Sequence, residues 1–87
     1  MEFLLLDICQ AIRTTTRKRV LIWHDRSGYD HRTASIYDIE DADALIDYLV
    51  ARYRASGMNR GGKESLTGYF LFDDYTDLKG VFQEVRA

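Results

Sequence analysis

Between Ala42 and Tyr53 the apolar residues fall at Ala42, Leu45, Ile46, Leu49, Val50 and Tyr53, which mark one face of a helix over three turns. A stripe that regular has to be buried against a second layer of structure. The flanks agree with a helix. Asp38 or Asp41 stands where a cap for the first amides is needed. Acids gather in the early turns and Arg52 and Arg54 in the last, as the helix dipole favours. Gly57 stands at the expected C-terminal stop.

The rest of the chain supplies the other layer. Leu5, Ile8, Cys9 and Ile12 show the i, i+3, i+4, i+7 spacing, so about Glu2 to Arg13 reads as a helix, ended by the β-branched run Thr14-Thr15-Thr16. Lys18 to His24 reads as a strand, and Tyr29 to Tyr37 as a second one. The turn residues Asp25-Arg26-Ser27-Gly28 between them imply an antiparallel hairpin. Gly57 to Lys63 is loop, and Leu66 to Phe72 a third strand. Asp73 to Asp77 is a turn that can cap a last helix, carried by Leu78, Val81, Phe82 and Val85. A strand is the competing reading of 78–86, and Gly80 weakens the helix there. The expected class is α+β, a three-stranded antiparallel sheet with helices in the order α-β-β-α-β-α, forming one domain over residues 1–87.

Bulk properties narrow the function classes. Eighty-seven residues support one modest core but hardly a deep substrate cavity as well. Eleven aromatic residues (four Phe, one Trp, six Tyr) argue against disorder. A net charge of −2 gives no global pull toward nucleic acid or anionic membrane. The charges are nevertheless segregated. Arg13, Arg17, Lys18 and Arg19 form a basic stretch, and Asp38, Glu40, Asp41, Asp43 and Asp47 an acidic one. The single cysteine, the absence of a signal-peptide pattern and the absence of a long apolar run place the chain in the cytoplasm, away from the membrane.

No constellation reads as catalytic, and neither cofactor nor metal is expected. With the turn centred on Ser27-Gly28, His24 would face His31 and supply half of a zinc site. However, no second ligand pair is evident, and the same register sets Asp25 against Asp30. Cys9 lies on an apolar helix face and reads as a small hydrophobe. Asp73, Asp74 and Asp77 lack the spacing of a calcium loop, and capping accounts for Asp77. Arg60-Gly61-Gly62-Lys63 falls short of a phosphate-binding loop and leads into a strand rather than a helix.

Aromatic surface remains. In that hairpin register Leu21, Trp23, Ala34 and Ile36 share one face, and Val20, Ile22, Thr33, Ser35 and Tyr37 the other. The third strand divides into Leu66, Phe70 and Phe72 against Tyr69 and Leu71. Both faces are partly apolar, so either helices cover both or one is left for contact. The expectation is a small non-catalytic protein-binding domain, acting as an inhibitor, adaptor or accessory subunit. Its contact residues would be Tyr29, Tyr69, Asp73, Asp74, Tyr75 and Asp77, and the acids would steer a basic partner. In size and plainness the chain resembles the small proteins with which phages and mobile elements block host defence, anti-CRISPR inhibitors among them. That likeness is one of kind and carries no residue motif. The alternative is a nucleic-acid-binding module using Arg13, Arg17, Lys18 and Arg19, joined by Arg52, Arg54 and Arg60. Homodimerisation through an exposed edge of the third strand is also left open.

Overall fold

The structure is a computed structural model that describes residues 2–26, 32–54 and 64–81. Helix α1 spans Glu2–Thr14, strand β1 Arg19–Arg26, strand β2 Arg32–Asp38 and helix α2 Ala42–Leu49. A wider π turn, Val50–Arg54, continues α2, and strand β3 covers Glu64–Phe72. A 3-10 turn, Tyr75–Asp77, then leads into helical residues 78–81; the two together are called α3. The α-β-β-α-β-α order and the antiparallel three-stranded sheet match the pattern of the sequence. Phe82 and Val85, the last residues of the expected final stripe, lie outside the described residues, as does the Gly57 to Lys63 loop.

The strands run in the order β2-β1-β3, with β1 in the middle and antiparallel to both neighbours. The position of β1 follows from its residues. Val20, Leu21 and Ile22 are fully buried, so this run needs cover on both faces. On one face Val20 and Ile22 meet Leu5, Ile8, Cys9 and Ile12 of α1, and Ile46, Leu49 and Tyr53 of α2 and its π turn. Each such side chain contributes roughly 1.5–3 kcal/mol through its removal from water. On the other face Leu21, Phe72 and Leu78 form a smaller cluster, so α3 covers only one end of that face. Asp41 caps α2 by accepting from the Ala44 amide at 3.2 Å, and Ile39 N–H donates to the Lys18 carbonyl at 2.7 Å.

Two expectations about register are corrected. In the hairpin, His24 faces Thr33, not His31, and Asp25 faces Arg32, not Asp30. The residues of the expected Ser27-Gly28 turn lie outside the described residues. The two-residue shift replaces a pair of facing acids with an acid facing a base, and it keeps every side chain on its expected face. In β3, Trp23 pairs with Gly68 but His24 with Leu66, so Thr67 is the extra residue of a β-bulge. The bulge moves Leu66 away from Phe70 and Phe72 and onto the helix side, against the main core.

Candidate functional site

Past α3, the sheet face opposite the main helices is open among the described residues. Its composition follows from the ladder. Ile36, Leu21 and Phe70 form one row across the three strands, and Ala34, Trp23 and Gly68 the next. Asp38 and Arg19 close one end of the face, and Arg32 and Asp25 the other. Ile36 is 38% exposed, Ala34 is exposed, and Trp23 and Phe70 are only half-buried. Gly68 matters here because a Cβ on it would sit 3.4 Å from Trp23 Cε3. The indole therefore lies against bare backbone, low on the sheet. Phe70 stacks near-parallel to Phe72 at 6.3 Å between centroids, and Tyr75 meets Phe72 edge-on at 5.6 Å. The result is an apolar, aromatic centre between strand positions occupied by charged residues.

The residues expected to carry binding are distributed differently. Tyr29 lies outside the described residues. Tyr69 turns to the helix side and packs against the main core. Tyr75 is 54% exposed at the margin of the open face, under the Arg19 guanidinium, whose Cζ is 4.9 Å from the ring centroid. The three aspartates are engaged within the fold. Asp73 accepts from Arg17 Nη1 and from the Lys18 amide, each at 2.9 Å, and its carbonyl accepts from Arg19 Nη1. The Arg17 hydrogen bond, followed by that from Lys18, holds the Asp73 carboxyl below its usual value of 3.8. Asp74 caps α3 by accepting from the Thr76 amide at 3.1 Å, and Asp77 closes a capping box by accepting from the Asp74 amide at 3.4 Å.

The basic stretch is answered in the same way. Arg17 takes Asp73, Arg19 lies 3.0 Å from Asp38, and Arg13 approaches Asp43 to 4.0 Å. The Arg13–Asp43 contact is exposed at both ends and is worth roughly 0–1 kcal/mol at most. Lys18 keeps an exposed side chain while its backbone bonds Asp73 and Ile39. Arg52 donates to the hydroxyls of Tyr37 and Tyr48, each at 3.0 Å, and lies over the Tyr53 ring. Arg60 and the Arg54 side chain lie outside the described residues.

His24 is buried, 5% exposed, on the helix side of β1. Its Nε2 lies 3.0 Å from Ser35 Oγ and its Nδ1 3.2 Å from Thr33 Oγ1, while Thr33 also donates to the His24 carbonyl at 3.2 Å. Two hydroxyls that can each donate or accept suit a buried imidazole without any metal. Burial pushes the Cys9 thiol above its usual value, with Arg13 opposing. Among the described residues, no three His, Cys, Asp or Glu side chains gather as ligands, and no helix is long and apolar enough to cross a membrane. Residue spacing carries no sign of the Arg52–Tyr37–Tyr48 contact or of the hydroxyl pair around His24. The first depends on the π turn that carries Arg52, and the second on the cross-strand register of β1 and β2. No family model, curated protein or solved structure matches this chain.

Proposed function

We propose that this chain is a non-catalytic protein-binding domain, of the kind that serves as an inhibitor, adaptor or accessory subunit, and that it binds through the open Trp23 face. The observation that carries this reading is the contiguous row structure of Ile36, Ala34, Trp23 and Phe70 on a sheet face that α3 covers at one end only. An aromatic centre between charged ends is where binding energy concentrates in protein interfaces. Steering of a basic partner by Asp73 to Asp77 has less support, because each of those carboxylates already serves the fold. The nucleic-acid alternative is weaker for the same reason, since Arg13, Arg17 and Arg19 each face an acid of this chain.

The test is affinity capture from the native host with the wild type, Ile36→Glu and Phe70→Glu, and with Leu6→Glu as a control on the exposed side of α1. Circular dichroism would verify folding of each. Proteins retained by the wild type and Leu6→Glu should be lost from both face variants. Equal capture by all four overturns the reading. Retention on DNA or RNA at low salt that Arg17→Ala and Lys18→Ala abolish would favour the alternative.

A further inference from the structure

The two edges of the sheet are not alike. The β3 edge is broken by the bulge at Thr67. A bulge is one of the devices that discourages a second strand from pairing, as are proline, lysine and a short edge. The β2 edge has none of these. Its seven residues, Arg-Thr-Ala-Ser-Ile-Tyr-Asp, contain no proline and no lysine, and their pairing with β1 is uninterrupted. Among the described residues no strand pairs with the outer side of β2. Thr33, Ala34, Ile36 and Asp38 are exposed, so residues on both faces of the strand meet solvent.

The same seven residues complement themselves. Laid antiparallel to a copy of itself about a two-fold axis at Ser35, β2 sets Arg32 across from Asp38 of the other copy, once at each end. Thr33 then faces Tyr37, Ala34 faces Ile36, and Ser35 faces Ser35. Each of these is a pairing that antiparallel strands favour: opposite charges, β-branched with aromatic, apolar with apolar, hydroxyl with hydroxyl. The register also keeps faces consistent. Arg32, Ala34, Ile36 and Asp38 belong to the open face of both copies, so both helix layers stay on one side. We infer that two copies of this chain pair through the outer edges of their β2 strands, antiparallel and centred on Ser35.

The three strands of each copy then form one continuous sheet. A two-fold contact of this kind is isologous and closes on itself, which ends assembly at the dimer. It also joins the two open faces side by side. The inference does not depend on the binding of a foreign partner, because the hydrogen bonds that join the strands run along the β2 edge and not across the open face, although Ala34 and Ile36 border both.

Light scattering coupled to size exclusion, run from micromolar to millimolar loading, should give a mass rising toward twice 10.1 kDa. Oxidative cross-linking reads the register. Facing Cα atoms in antiparallel strands lie within disulfide range, so Ser35→Cys should cross-link to itself at least about tenfold faster than Thr33→Cys. The wild type, whose only cysteine is the buried Cys9, should not cross-link. Ser35 also contacts His24, so a second pair of facing positions provides a second readout. A mixture of Ala34→Cys and Ile36→Cys should cross-link at least about tenfold faster than either variant alone, because those positions face each other across the proposed seam. A mass of 10.1 kDa at every loading overturns the inference. So does a dimer in which Ser35→Cys reacts no faster than Thr33→Cys, or in which the Ala34→Cys and Ile36→Cys mixture reacts no faster than either variant alone.

Discussion

Arg17 and Asp73 stand 56 positions apart in the chain and 2.9 Å apart in space. A residue of the basic entry to β1 thus closes on the residue that follows β3. Lys18 and Arg19 bind the same aspartate, so one carboxylate and one carbonyl tie down the start of the central strand.

That clamp predicts a pH dependence. The Asp73 carboxyl is held below 3.8, chiefly by Arg17. A group whose folded pKa is depressed stabilises the fold above its unfolded value and loses that contribution as pH falls through the folded one. Thermal melts of wild type and Asp73→Asn should therefore differ at neutral pH and converge as pH drops below 3.8. A constant offset between the two down to the lowest pH would show that the carboxylate charge plays no part.

The capping box predicts an asymmetry between neighbours. Asp74→Ala removes the acceptor for the Thr76 amide and should cost about 0.5–2 kcal/mol. Asp77→Ala removes only the longer 3.4 Å return bond and should cost less. Urea unfolding of the two variants gives the order.

The hydroxyls around His24 predict a cost out of proportion to their size. Ser35→Ala deletes a bond to a buried imidazole and should destabilise by about 1 kcal/mol, read from the urea midpoint. A midpoint equal to the wild type would mean that the Ser35 contact is dispensable.

Gly68 predicts the opposite sign. A Cβ there meets Trp23 Cε3 at ordinary contact distance, and alanine restricts the unfolded chain more than glycine does. Gly68→Ala should stabilise by about 0.4–1 kcal/mol, with a blue shift of the emission of the sole tryptophan as its ring gains cover. A lower midpoint would show that the indole has no room to give.

The elements were legible because their periodicities were strong. The Ala42 to Tyr53 stripe, the α1 stripe and the alternation of β1 each name a buried face, and the structure buries those faces. The faces of the hairpin were legible for the same reason, since a shift of two residues preserves side-chain parity. Leu66 was misplaced because a bulge has no periodicity of its own, and Thr67 is an unremarkable strand residue. The candidate site was legible only in part. Trp23, Ala34 and Ile36 announced a shared face, and the turn residues announced the capping in which Asp77 takes part, but the clamp of Asp73 on Arg17 and Lys18 did not follow from spacing. An aspartate that clamps a distant strand and one that faces solvent look alike in sequence, and contact over 56 positions separates them.

The central strand also imposes an order on assembly. His24 and Ser35, in β1 and β2, are 11 positions apart, whereas Arg19 and Asp73, which join β1 to the end of β3, are 54 apart. Closing the shorter loop costs less chain entropy, so the hairpin can form and re-form many times while the third strand is still searching for it. Chain entropy thus predicts that β3 arrives last, and that until it does one side of β1 stays bare and open to the wrong neighbour.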